Sequence, residues 1–179
     1  MPFPKPYADF VARLRVPLGF LLVGAFAWLS QPDVRSLAVG LPVSAAGLLL
    51  RAWAAGHLSK NQELATSGPY AYTRNPLYLG TVLVAAGLVI ASKSWLLAVL
   101  FAGVFALVYV PVIQLEEQHL RKLFPNYAAY AAQVPALIPG PPQPGAAQSF
   151  RFSLYMNNQE YQALAAFAGG AALLLWKAL

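Results

Sequence analysis

Apolar residues form five runs along the chain, separated by shorter polar segments. Each run approaches the roughly 17–25 residues that an α-helix needs to cross the hydrocarbon core of a bilayer. The predicted spans cover residues 16–30, 36–55, 76–92, 95–115 and 161–176. Pro111 lies inside the fourth run and predicts a kink there. The pattern therefore predicts an all-α, polytopic membrane protein with about five transmembrane helices.

Composition excludes an ordinary soluble domain, because 59% of the residues are hydrophobic and only 10% are charged. The formal charge is +6, but the cations are scattered beside apolar runs. This distribution favours membrane lipids as partners over nucleic acid. The chain has no cysteine and two histidines that lie far apart, so we expect no metal site. A single domain over residues 1–179 is predicted.

The positions of lysine and arginine predict the orientation of the chain. With the N-terminus inside, the inner segments hold eight cations and the outer segments hold three. Because cytoplasmic loops carry the excess of positive charge, the 57–76 loop and the 116–160 segment are predicted to lie together on the cytoplasmic side. We expect these two segments to build one site.

The first polar motif occupies residues 67–80. Asn75 and Pro76 predict a helix start, since asparagine caps helices well and proline fits their first position. Arg74 precedes this start, and Tyr70 and Tyr78 flank it. A helix N-terminus beside an arginine suits a carboxylate or phosphate, while tyrosine faces attract cations. A ligand that carries both charges would fit, although an interfacial aromatic belt also accounts for the tyrosines.

The second polar motif follows the fourth apolar run. Glu116 comes directly after that run, where a carboxylate is costly to desolvate unless it meets a cation, a hydroxyl donor or water. Glu117 and Arg121 are four residues apart, so a surface ion pair is the simplest interpretation of them. Tyr127 and Tyr130 lie three apart on the following predicted helix.

The C-terminal part of the chain carries no recognisable motif. A Pro/Gly-rich linker is predicted over residues 139–149, followed by an interfacial segment and a last helix within residues 150–179. Asn157 with Glu160 three residues later resembles a capping box, which predicts where the last helix begins.

Two long motifs, separated by a predicted helical hairpin, carry a family resemblance. They read Gly68-Pro69-Tyr70-x-x-x-Arg74-Asn75-Pro76-x-Tyr78 and Glu116-Glu117-x-x-Leu120-x-x-x-Phe124-x-x-Tyr127-x-x-Tyr130-x-x-x-Val134-Pro135-x-x-Ile138-Pro139. Residues 57–139, which contain them, resemble the isoprenylcysteine carboxyl methyltransferases and the related phospholipid N-methyltransferases.

The resemblance implies an integral membrane enzyme, expected in a bacterial inner membrane, with its N-terminus and active site on the cytoplasmic side. Such an enzyme binds S-adenosylmethionine and methylates a lipid-like or prenylated carboxylate acceptor that enters from the bilayer. The cofactor-binding residues implied by the two motifs are Tyr70, Arg74, Asn75, Tyr78, Leu79, Gly80, Glu116, Glu117, Tyr127 and Tyr130.

The catalytic candidates are Arg74, Glu116 and Arg51. A carboxylate acceptor is already a nucleophile and needs only Arg74 or Arg51 to orient it. An amine acceptor must lose a proton, which Glu116, Glu117 or water could take. A small-thiol acceptor, an NADPH-dependent enzyme resembling sterol reductases and a non-enzymatic lipid-binding protein are the remaining interpretations.

Overall fold

The computed structural model describes residues 3–143 and 148–179, and these residues form helices and connecting loops without any β-strand. The helices are α1 (Lys5–Leu29), α2 (Val34–Ala55), α3 (Pro76–Ser92), α4 (Trp95–Val104), α5 (Val110–Leu123), α6 (Tyr127–Gln133), α7 (Phe152–Asn157) and α8 (Tyr161–Ala178). Residues 144–147 of the predicted 139–149 linker lie outside the described residues. The predicted all-α class is confirmed.

Three helical stretches of the described chain are long and apolar enough to cross a membrane. They are Lys5–Leu29, Val34–Ala55 and Trp95–Leu123. Helix α3 is apolar but has only 17 residues. The count of about five spans is therefore not confirmed, although α2 and α3 begin and end within two residues of the predicted positions.

Helices α2 and α3 pack with their backbones in contact. A Cβ atom on Gly47 would lie 2.6 Å from the Val84 nitrogen and 2.7 Å from the Gly80 carbonyl oxygen, distances that real Cβ atoms do not show. One turn away on α2, the Ser44 hydroxyl donates to the Val84 carbonyl at 2.8 Å. Small residues permit this approach, and the hydroxyl adds an interhelical hydrogen bond, as is typical of helix pairs in membranes.

The helix that continues from α4 into α5 is interrupted close to Pro111, where the sequence predicts a kink. Phe105–Tyr109 form a π-helical turn directly before α5, in which Pro111 occupies the first turn. Pro111 has no N–H to give to the Leu107 carbonyl four residues earlier. The Tyr7 hydroxyl of α1 donates to that carbonyl at 2.8 Å, so the lost intrahelical bond is replaced by a contact between helices.

The chain beyond residue 148 folds back over the C-terminal end of α2. The Arg151 backbone N–H donates to the Gly56 carbonyl at 3.0 Å, and the Asn158 side chain donates to the Ala55 and Leu58 carbonyls at 3.0 and 2.8 Å. The predicted capping box is wrong, because Glu160 precedes α8 without capping it and Asn157 belongs to α7. The Glu160 carboxylate is instead used in an ion pair with α2.

We expect Gly47→Ala to lower the free energy of unfolding by about 1–3 kcal/mol, because the new methyl group would force α2 and α3 apart. The matched control is Gly103→Ala in α4, where a Cβ would meet no atom within 4 Å. Thermal unfolding in detergent micelles measures both. Equal melting temperatures for the two variants would contradict the contact described here.

Candidate active site

The two sequence motifs meet in an ion pair between the start of α3 and the middle of α5. The Arg74 Nε donates to Glu117 Oε1 at 2.8 Å, and Nη2 donates to Oε2 at 3.2 Å. The two side chains are only 13% and 18% exposed. A bidentate pair of this kind fixes orientation as well as distance. It therefore joins segments that are 43 residues apart in sequence.

Arg74 also holds the C-terminal end of α6. Its Nη1 donates to the carbonyl oxygens of Ala131 and Val134 at 2.7 and 3.0 Å. The Arg74 backbone N–H donates to the Pro135 carbonyl at 2.9 Å. The last carbonyls of a helix lack intrahelical donors, so a cation placed there stabilises the helix end. Arg74 thus connects α3, α5 and α6. Its expected direct contact with the cofactor stays a prediction.

Asn75 precedes α3, as predicted, but its side chain does not cap the helix. The Nδ2 group donates to the Ala136 carbonyl at 2.9 Å and to Glu117 Oε1 at 3.3 Å. The Asn75 backbone carbonyl accepts a hydrogen bond from the Leu79 N–H at 3.0 Å. This backbone bond connects Leu79 to Asn75. The start of α3 consequently has no side-chain cap.

Glu116 accepts a hydrogen bond from a hydroxyl group, which is one of the partners expected for a carboxylate directly after an apolar run. The Tyr78 hydroxyl donates to Glu116 Oε1 at 2.9 Å, and the Tyr78 ring packs edge-on against Tyr109 with 6.1 Å between centroids. Glu116 is exposed. A carboxylate offers about four acceptor positions, so Glu116 can accept further hydrogen bonds from a ligand hydroxyl or ammonium group.

Three predicted tyrosines line one side of this cluster. The Tyr130 hydroxyl donates to the Tyr70 carbonyl at 2.8 Å, and the rings of Tyr127 and Tyr130 lie 6.0 Å apart, edge to face. Tyr127 is 1% exposed, and its buried hydroxyl has no hydrogen-bond partner within the described residues. Burial, with the nearby Glu117 carboxylate, raises the pKa of Tyr127 to about 12. The phenol therefore keeps its proton at neutral pH and can donate a hydrogen bond.

The simple interpretation of Glu117 and Arg121 as a surface ion pair is wrong. Glu117 pairs with Arg74, and the Arg121 guanidinium lies 5.4 Å from the centroid of the Tyr127 ring. A cation above an aromatic face is attracted by the ring quadrupole. Arg121 therefore covers Tyr127 instead of neutralising Glu117.

Arg51 of α2 belongs to a second cluster, which lies against the first two turns of α3. Its Nε and Nη2 donate to the two oxygens of Glu160 at 3.0 and 2.7 Å, and Nη1 donates to Thr81 Oγ1 and the Leu77 carbonyl at 2.5 and 3.2 Å. Gly80 makes room for this side chain, since a Cβ there would lie 2.5 Å from Arg51 Cγ. No pattern in the sequence indicated that Glu160 and Thr81 bind Arg51.

We expect Glu117→Ala to cost about 2–4 kcal/mol of unfolding free energy, because Arg74 would remain partly buried without its counter-ion. Glu63→Ala is the control, since it removes the half-exposed pair with Arg151, which solvent screens. Denaturant unfolding in detergent measures the difference. If Glu117→Ala lost no more stability than Glu63→Ala, the Arg74–Glu117 ion pair would not stabilise the fold.

Comparisons with known proteins agree with the location of the two motifs. A family model described as phospholipid methyltransferase matches residues 36–127. This range contains Arg51, Arg74, Glu116 and Glu117 and ends at Tyr127. The relation to phospholipid methyltransferases expected from the motifs is confirmed.

Two relatives are named for metal resistance. The cobalt-zinc-cadmium resistance protein CzcN of Cupriavidus metallidurans is 41% identical over 91 residues, which are 50% of this chain and 42% of that protein. The nickel-cobalt-cadmium resistance protein NccN of Alcaligenes xylosoxydans xylosoxydans is 30% identical over 151 residues, covering 76% of this chain and 70% of that protein. No solved structure matches.

The family match covers just over half of the 179 residues, and both polar motifs begin within it. The apolar helices agree with a membrane protein of this family. The chain belongs to the phospholipid methyltransferase family.

Proposed function

We propose that this protein is an S-adenosylmethionine-dependent methyltransferase that methylates a lipid-like acceptor at the membrane. The Arg74–Glu117 ion pair is the observation that carries the proposal. It joins the two family motifs, so that Glu116, Tyr78 and Tyr127 belong to one cluster beside apolar helices. Methyl transfer requires positioning and exclusion of water more than it requires a strong base.

The residues of the cluster fit the chemical groups of S-adenosylmethionine. Glu116 has acceptor positions for ribose hydroxyls or the ammonium group, and the buried Tyr127 hydroxyl has no partner among residues 3–143 and 148–179. The start of α3 lacks a side-chain cap and suits a carboxylate. Tyrosine faces suit a sulfonium cation. We assign Arg74 to positioning, since four hydrogen bonds to protein acceptors already engage its guanidinium.

S-adenosylmethionine, when bound, supplies an electrophilic methyl group on sulfur. The contribution of the chain is to hold the reactants close together in a site with few competing waters. Glu116 can accept a proton if the acceptor is an amine, whereas a carboxylate acceptor needs only orientation. Carboxylate, amine and small-thiol acceptors are all compatible with the residues around Arg74.

Isothermal titration calorimetry with S-adenosylmethionine on detergent-purified protein tests the cofactor. We expect saturable binding by the wild type and binding weaker by about 1–3 kcal/mol in Glu116→Ala, because a charged hydrogen-bond acceptor would be lost. Glu63→Ala is the control for a glutamate outside the cluster. Absence of heat with the wild type would overturn the proposal, and selective NADPH binding would favour a reductase.

Incubation of membranes with S-adenosylmethionine labelled on the methyl group identifies the acceptor. We expect label in a lipid extract from cells that express the wild type, and less label with Glu116→Ala. The names of the two relatives suggest a second phenotype, so tolerance to cobalt and cadmium should be compared in the same strains. Label found only in water-soluble thiols would exclude a lipid acceptor.

A further inference from the structure

A groove of about 320 Å³ lies between α2 and the C-terminal segment. Its volume is at the lower end of the range for small-molecule sites, which is roughly 300–1,000 Å³. Seven uncharged residues and one glutamate line it: Ala45, Leu48, Leu49, Ala52, Tyr155, Leu164, Phe167 and Glu160. The groove is thus a slot for an apolar chain with one charged side chain at its wall.

The groove opens on the outer surface of the helices. Leu49 of α2 and Leu164 of α8 are 72% and 52% exposed. Helix α2 is one of the three stretches long and apolar enough to cross a membrane. Its exposed apolar side chains therefore face lipid, and a ligand chain can reach the groove from the bilayer without passing through water.

Glu160 decides which head group the groove can accept. Its side chain is 9% exposed, and Arg51 occupies two of the roughly four acceptor positions of the carboxylate. The remaining positions can accept a hydrogen bond from a ligand. Glu160 lines the groove and Arg51 does not, so a carboxylate head would meet a hydrogen-bond acceptor. The Arg51 guanidinium is already bonded to Glu160, Thr81 and the Leu77 carbonyl. The chemistry favours an amine or hydroxyl head over an anionic one.

The polar end of the groove adjoins the candidate cofactor cluster. Arg51 contacts Leu77 and Thr81 in the first two turns of α3. Tyr78, in the same turns, donates to Glu116. A ligand head held at Glu160 therefore lies at the helix start that also supports the cofactor cluster.

We propose that this groove binds the methyl acceptor, and that the acceptor is an amphiphile with an apolar chain and an amine or hydroxyl head group selected by Glu160. The inference rests on the proposed function. Tyr155, Glu160, Leu164 and Phe167 all lie beyond the family match at residues 36–127. The C-terminal segment thus supplies the selectivity of this chain.

Equilibrium dialysis of the detergent-solubilised protein against radiolabelled decylamine, decanol and decanoate tests the site. We expect decylamine and decanol to bind at least about tenfold more tightly than decanoate, because the carboxylate probe would face Glu160. In Glu160→Gln the Arg51 guanidinium loses its counter-ion, so we expect decanoate to bind at least as tightly as decanol. Comparison of the amine with the alcohol identifies which donor the site prefers.

A pair of variants on α2 distinguishes the groove from nonspecific partition into detergent. Ala45→Phe fills the groove and should weaken all three probes by about tenfold or more, since the space for the chain is lost. Ala46→Phe adds the same ring at the adjacent exposed position, which does not line the groove, and should leave binding unchanged. Decanoate binding as tight as decylamine, or equal binding by the two variants, would overturn the proposal.

The same preparations are titrated with S-adenosylmethionine, so the two proposals fail separately. Normal cofactor binding with no selective amphiphile binding would reject the groove and leave the proposed function intact. Selective amphiphile binding without any cofactor binding would reject the methyltransferase and leave a lipid-binding groove. Cofactor binding by Ala45→Phe and Glu160→Gln also verifies that these variants are folded.

Discussion

The backbone contact between α2 and α3 is the constraint on which the rest of the structure depends. Helices in a membrane gain no hydrophobic energy from leaving lipid for each other, so close packing and interhelical hydrogen bonds must hold them together. Gly47 and Gly80 allow the two backbones to touch, and Ser44 adds a hydrogen bond. This contact fixes the register of the two helices, which brings Arg51 of α2 against the first turns of α3.

Two arginines organise the polar end of the helices, and each is paired with a glutamate distant in sequence. Burying a lone guanidinium is costly, and each arginine avoids that cost by bidentate pairing plus bonds to protein oxygens. Arg74 pairs with Glu117 and Arg51 with Glu160. The groups left with spare bonding capacity are mainly carboxylates and a buried tyrosine hydroxyl. The clusters therefore offer a ligand more acceptors than cations.

Local rules predicted the elements well and the side-chain partners poorly. The start of α3 at Pro76 and its end at Ser92 follow from the apolar run and its flanking polar residues. The predicted ion pair between Glu117 and Arg121 was wrong because i, i+4 spacing considers only one helix. Arg74, which pairs with Glu117, approaches from another part of the chain. The capping box at Asn157 and Glu160 failed similarly, since an arginine on α2 competes successfully for the carboxylate.

The sequence alone determined the helical membrane class and the two motifs of the family, because hydropathy and short-range spacing are properties of neighbouring residues. It also indicated that residues 57–76 and 116–160 act together, since the distribution of cations restricts topology. Only the tertiary structure decided that Arg74 connects three helices, that Arg121 covers Tyr127 and that Glu160 faces a groove. Those contacts join segments tens of residues apart, and they follow from how closely the helices pack, which no local pattern specifies.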